Sequence, residues 1–310
     1  MDFRFSDDQL TLAEGVRDYL AGTHGPEVLR RLDAEGPRDP AIWQGLVEMG
    51  LTGLLVPEAH GGLGMGLVEA ALIAAECGRA CLAEPLVDTA FVGVPWLVTR
   101  GKTAGLADVV AGTRKLAPAH IINPWVADGQ GTALTSVDPL RQLAALPAEA
   151  SDDPLLLDLG ALMSAAQLVG LADAMLAQAV EYAKIRTQFG QPVGAFQGLK
   201  HQLASCAVAI EFAKPVVWRA AQALQDDLAS AAVHVSHAKL AATDAAILTA
   251  ETAIQVHGAM GYTYEVDLHF WMKRSWALAG AWGDRAFHYN RIDAAVLGTA
   301  QPIGPEHTFA

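Results

Sequence analysis

The sequence predicts a mainly α protein in three parts: an N-terminal helical domain over 1–100, an abbreviated middle segment with little β over 101–150, and a C-terminal four-helix bundle over 151–310. Three observations predict this. Apolar residues recur at helical spacing through the first third, that periodicity fades over 101–150, and four long alanine-rich stretches follow with short glycine-bearing connections.

Taken in order, Ser6 is placed to cap a helical stretch over 6–35, with Leu10, Leu12, Val16 and Leu20 as its apolar positions. A second helix covers about 40–50 and closes at Gly50. Leu51 to Pro57 suggests a short extended run, ended by the glycine-rich turn Ala59 to Gly64. A third helix, about 67–80, carries Val68, Leu72, Ile73 and Ala75 on one side, and a fourth follows Glu84-Pro85. Over 101–150 Pro, Gly, Thr and Asp rise, and apolar pieces such as Lys115 to Ile122 allow only brief strands. Ser151-Asp-Asp-Pro154 marks a boundary and a helix start. Long helices are then predicted at about 155–185, 196–225, 228–257 and 264–297, the last broken near Gly280 or Gly283 and the second kinked at Pro215.

Composition narrows the function classes. With 34 acidic and 21 basic residues the net charge is -13, which disfavours nonspecific nucleic-acid binding but leaves room for local phosphate binding by a few arginines. The hydrophobic fraction is 52% and mean hydropathy +0.25, high for a soluble protein. No run reaches the roughly 18 uninterrupted apolar residues that span a bilayer; the longest candidate, Gly160 to Ala172, has Asp158 before it and Asp173 after it. We therefore expect no membrane segment, and expect helices that bury surface against partner chains in an oligomer. Met1 to Asp8 lacks the basic and apolar regions of a secretory signal, and three cysteines imply no disulfide framework, so a cytoplasmic location is the default.

Two stretches carry the chemistry: Arg186 to His201, containing Arg-x-x-Phe-Gly and Phe196-Gln197, and Gln255-Val-His-Gly-Ala-Met-Gly261. With Leu46 to Glu58, Gly61 to Gly64 and Glu76 to Ala80, they resemble the acyl-CoA dehydrogenase family over about three quarters of the chain. The resemblance implies FAD as cofactor, an acyl-CoA thioester as substrate and an electron-transfer acceptor. It also implies that Arg186, Gln188 and Phe189 reach a neighbouring chain's FAD, with Gln255, Gly258 and Gly261 on its adenosine side. Guanidinium-to-phosphate forks and close backbone approach at glycine suit that role. The alternative is that Arg186 only ends a helix and that the second stretch is a plain turn. The family has a second glycine where Ala259 stands.

The departures matter as much. α,β-Dehydrogenation needs a carboxylate to take the acyl α-proton. The two positions at which family members place that glutamate hold Gly160 and Trp282, so no catalytic residue is assigned. Asp158 and Asp284 lie nearby but are displaced, and capping or exposure is the expected role. The middle segment is smaller than the family's β-domain and lacks its Thr/Ser-rich flavin cover. Asp284 and Ala286 stand where members carry Thr and Gln for their own flavin. The resemblance therefore implies a noncatalytic subunit of a heteromeric acyl-CoA dehydrogenase, acting on bulky acyl-CoA esters such as steroid side-chain thioesters. The alternatives are a self-sufficient divergent homomer using Asp158 or Asp284, and a flavin-free scaffold.

Other signals point to packing. Gly62-Leu-Gly-Met-Gly66 lacks the βαβ context of a dinucleotide loop. His234 and His237 share a helix face without a third metal ligand. Cys77 and Cys81, four apart on one predicted helix, suit small-hydrophobe packing. The alanines of 228–250 suit a helix seam, and Trp271, Trp276 and Trp282 are core residues or the walls of an acyl pocket.

Overall fold

The computed structural model describes residues 4–36 and 38–298, and the first three residues of the amino-terminal octapeptide lie outside them. The first helices are α1 (Asp7–Thr23), α2 (Pro26–Glu35), α3 (Pro40–Glu48) and α4 (Leu67–Arg79). Ser6 caps α1 in a reciprocal box, its Oγ accepting from Gln9 N at 3.2 Å while Gln9 Oε1 accepts from Ser6 N at 2.9 Å. The single stretch expected over 6–35 is broken at His24-Gly25, where Pro26 opens α2.

Leu51 to Pro57 is not extended. Leu51–Gly53 forms a 3-10 turn, and Leu51, Leu54 and Val56 are wholly buried. An apolar run this short satisfies either backbone period, and burial on every side chose the compact one. Cys81 is also off its expected helix: α4 stops at Arg79 and Cys81 has φ +52°. Both Cys77 and Cys81 are buried thiols, as the packing reading expects.

The helix after Glu84-Pro85 begins as a wide π-type turn, Val87–Gly93, and continues as α5 (Val94–Thr99); α6 (Leu106–Val110) follows. The middle segment holds strands of two residues each, β1 (Val126–Ala127), β2 (Ala133–Leu134) and β3 (Leu143–Ala144), in the antiparallel order β1-β3-β2.

The bundle consists of α7 (Pro154–Ile185), α8 (Gln197–Gln225), α9 (Ala231–His257) and α10 (Leu268–Gly280), with α11 (Arg285–Val296) continuing after the expected break. Pro215 lies within α8 without ending it. Asp153 caps α7 by accepting from Leu155 N at 3.1 Å, and Pro154 occupies the first turn. By length and apolar composition α7 passes for a membrane span, contrary to the run-length expectation, yet 89% of its most apolar window is buried within the fold. It is the central helix, packed against α4, α8, α9 and α10. Backbone contact lets α4 approach it closely: a Cβ at Gly170 would fall 1.8 Å from Ala75 O, and one at Gly78 2.1 Å from Gln167 O. The alanines of α9, among them Ala238, Ala242, Ala246 and Ala250, are buried in the seam with α7 and α8.

Candidate functional site

The two positions expected to lack a base meet each other. α10 ends at Gly280, and in the turn that follows Trp282 adopts φ +56° and Gly283 φ +94°. That turn lays the Trp282 indole, 2% exposed, onto the backbone of Gly160 in α7. A Cβ at 160 would fall 2.1 Å from Trp282 Cδ2, so any larger residue there requires the indole to move.

Buried polar groups hold the turn. Trp282 N donates to Asn123 Oδ1 at 2.9 Å, and Trp282 O lies 2.9 Å from His288 Nε2. A carbonyl only accepts, so that nitrogen carries the proton, and His288 Nδ1 accepts from Ser236 Oγ at 3.2 Å. His288 is wholly buried, and burial, with Lys239 nearby, pushes it down to about 4. Lys239, 1% exposed, donates to Leu278 O at 2.8 Å, Ala279 O at 3.0 Å and Gly283 O at 3.4 Å. Burial pushes its ammonium down to about 7. These contacts satisfy carbonyls that end α10.

Neither displaced aspartate is free. Asp158 is buried and receives both Arg291 Nη1 at 2.5 Å and Nη2 at 3.1 Å. Burial raises its carboxyl above the usual range, with Arg291 opposing. Asp284 caps α11, Oδ1 accepting from Phe287 N at 2.8 Å. Capping fits the expectation for Asp284, whereas the burial and pairing of Asp158 do not.

At the far end of α7 the picture reverses. Arg186 leaves the helix, and β4 (Thr187–Gln188) pairs with β5 (Gln191–Pro192) around Phe189 (φ +51°) and Gly190 (φ +79°), a two-residue hairpin turn. Arg186, Gln188 and Phe189 are exposed, Phe189 at 91%. The Phe189 ring meets Phe196 edge-on at 6.1 Å. The structure brings the second stretch to the same end, because Tyr182 stacks on His257 with ring centroids 4.3 Å apart. Gln255 and Gly258 are exposed, Gly258 with φ +62° and open space where a Cβ would point. Gly261 is buried instead, and a Cβ there would lie 2.6 Å from Ile254 O, so the loop itself requires this glycine. Among the described residues the Arg186 guanidinium and the Gln188 and Gln255 amides make no hydrogen bond. This end presents uncommitted donors to solvent.

Comparison with known proteins decides the family. The acyl-CoA dehydrogenase N-terminal domain matches residues 6–104 and the C-terminal domain residues 155–297. The chain is 33% identical to acyl-CoA dehydrogenase IpdE2 of Mycobacterium tuberculosis, over 87% of this chain and 91% of that protein. The chain belongs to the acyl-CoA dehydrogenase family. IpdE2 of Mycolicibacterium smegmatis is 30% identical over 94% of this chain and 100% of its own. In fold the chain is similar to the ChsE4-ChsE5 complex from Mycobacterium tuberculosis, with TM-score 0.82, 21% identity and coverage of 98% of this chain and 100% of that one. It is also similar to butyryl-CoA dehydrogenase of Megasphaera elsdenii, with TM-score 0.83, 22% identity and coverage of 96% and 100%.

Within that family fold the tryptophans do not form one wall. Trp271 is buried and donates Nε1 to Arg79 O at 2.8 Å, Trp276 is 41% exposed, and Trp282 covers Gly160. His234 and His237 join no metal-binding group among the described residues. Sequence reasoning missed Lys239, Ser236, His288 and Arg291, the groups around Trp282. The only signal was a lysine among buried alanines on α9, which by itself suggests a solvated face.

Proposed function

We propose that this chain is a subunit of an FAD-dependent acyl-CoA dehydrogenase that completes a partner chain's FAD site and leaves α-proton abstraction to the partner. One observation carries the reading. The positions for the base are closed by the Trp282–Gly160 contact, while the Arg186 and Gln255 loops stand open and uncommitted.

The residues present fit such a group approached from outside. Arg186 has a free guanidinium to fork onto phosphate oxygens. Gln188 and Gln255 offer amides, Phe189 an exposed ring, and Gly258 a backbone with open space beside it. Gly261 shapes the loop that presents them. FAD, when bound, supplies the hydride-accepting ring. This chain's contribution is binding and orientation; Asp158 and Asp284 are engaged in a buried pair and a cap, which speaks against their holding a substrate proton.

The partner is a homologous acyl-CoA dehydrogenase chain, a reading supported by the likeness in fold to a two-protein complex. A further fold relative is described as a Tcur3481-Tcur3483 steroid ACAD, at TM-score 0.83 and 22% identity, which supports a bulky, steroid-derived acyl-CoA thioester as substrate class. An electron-transfer acceptor, a cytoplasmic location and the division into units 1–100, 101–150 and 151–310 belong to the same proposal.

The test is visible flavin absorbance of the chain purified alone and co-expressed with a homologous full-length partner. We expect flavin only in the complex, and at least tenfold less of it in the complex carrying Arg186→Ala. Stoichiometric flavin with full dehydrogenase activity in the lone chain overturns the proposal.

A further inference from the structure

The short sheet and its loops enclose a feature that the shared-flavin reading leaves unused. Residues 128–144 form an open cleft of about 480 Å³, with Ala133, Leu134 and Leu143 beside Ser136, Arg141 and Gln142. Its volume lies within the roughly 300–1,000 Å³ typical of small-molecule sites. A second chamber, about 20 Å³, shares Asp128 and Arg141 with the cleft as walls and is closed by Arg38, Glu84, Gln167 and Arg274. A void needs roughly 10–15 Å³ to hold one water, so this chamber admits a single oxygen atom.

Two guanidinium nitrogens in this chamber's lining are unsatisfied. Arg274, 3% exposed, gives Nε to Asp138 and Nη1 to Leu82 O at 2.8 Å, but Nη2 is buried without a partner. The Arg141 side chain is 9% exposed; Nη2 lies 3.6 Å from Asp88 Oδ2, and Nη1 is buried without a partner. A buried charged donor left without an acceptor forfeits its hydration with nothing in return.

The acids nearby are already engaged. Asp138, fully buried, receives Arg274 and caps Leu140 N at 3.0 Å. Asp128 accepts from Arg38 Nη2 at 2.6 Å. Glu84 accepts from Asp39 N at 2.8 Å and Lys115 Nζ at 3.0 Å. Asp88 is the loose member, and burial raises its carboxyl above the usual range, toward the neutral form. Arg141 and Arg274 both line the chamber, so an acceptor oxygen seated there is what their unpartnered nitrogens call for. Such an oxygen on a singly charged carboxylate suits a one-atom chamber. A phosphate would set further negative oxygens against Asp128 and Asp138.

We propose that this cleft binds a small organic molecule through a terminal carboxylate, one oxygen seated between Arg141 Nη1 and Arg274 Nη2 and the carbon skeleton lying along Ala133, Leu134 and Leu143. The site lies apart from the Arg186 and Gln255 loops, so it stands or falls independently of flavin sharing.

Isothermal titration of the full chain with glutarate, acetate and inorganic phosphate tests it. Saturable binding of glutarate, weaker saturable binding of acetate and none of phosphate are expected. Arg141→Gln should weaken glutarate at least tenfold with an unchanged far-ultraviolet circular dichroism spectrum, whereas Arg285→Gln on exposed α11 should not. Absence of saturable carboxylate binding, equal affinity in Arg141→Gln, or phosphate binding as tight as glutarate each overturns the proposal. Should Arg141→Gln not fold, nuclear magnetic resonance of the wild-type chain with ¹⁵N-labelled arginine decides. Two guanidinium signals should shift on adding glutarate, and their silence overturns the site.

Discussion

The two ends of α7 are built in opposite ways. Near its start, Gly160 is sealed by Trp282 and surrounded by buried ionisable groups, each hydrogen-bonded to a neighbour. At its end, about 40 Å away along the helix axis, Arg186, Gln188 and Phe189 stand in solvent and pack on little of their own chain. A packed region contributes to the stability of the chain that contains it. An exposed, uncommitted one contributes nothing until something binds. The contrast teaches that one helix can be sealed by its own chain at one end and left open to solvent at the other.

Stability measurements break or sharpen this contrast. The largest effect belongs to Trp282→Ala, which should cost about 3–5 kcal/mol in urea denaturation, as expected for emptying a buried indole site. A loss under about 1 kcal/mol would mean that the indole is not holding this end together.

Next in size is acid. His288 and His24 are both buried with values pushed down to about 4 from 6.5. A lowered folded value means the unfolded chain binds the extra proton first. Their contribution is therefore complete above pH 6.5 and is lost as pH falls toward 4, by up to about 3 kcal/mol for each. Lys239 has the same sign over pH 10.5 to 7. Denaturation as a function of pH should show a shallower acid limb in His288→Gln than in wild type, and an unchanged one in Arg186→Ala. Identical slopes in all three would remove His288 from the account.

Gly160→Ala should cost about 1–3 kcal/mol by overpacking, less whatever helix propensity returns. In a Trp282→Ala background the same change should be neutral or stabilising. Additivity within about 0.5 kcal/mol in that double-mutant cycle would show that the two residues do not press on each other. The smallest effect is at the other end, where Arg186→Ala and Phe189→Ala should each leave the lone chain's stability within about 0.5 kcal/mol. A larger loss would mean that the loop is part of this chain's own packing.

Much of the frame was legible in the residues. Ser6, Asp153-Pro154 and the Gly280–Gly283 break mark helix ends by local chemistry, and the structure places ends there. Leu51 to Pro57 misled because a seven-residue apolar run carries no decisive period, and Cys81 because helical spacing does not reveal where a helix stops. Arg186 to Phe196 was legible as a loop between two long helices, while its folding into a hairpin came only with the structure. The groups around Trp282 were invisible for the opposite reason. Lys239 looks like a solvated lysine until the carbonyls ending α10 are brought to it from about 40 residues along the chain.

By itself the sequence determined the long bundle helices, the break near Gly280–Gly283, the loops after Ile185 and His257 and the absence of glutamate at positions 160 and 282, because these depend on residue type and on neighbours a few positions away. Only the tertiary structure decided that the absence is a filled space. Whether an indole at 282 reaches a glycine at 160 depends on how α10 lies across α7 and on a left-handed turn at Trp282. Period along one helix cannot encode what another helix brings to it, and here that meeting separates an empty site from a closed one.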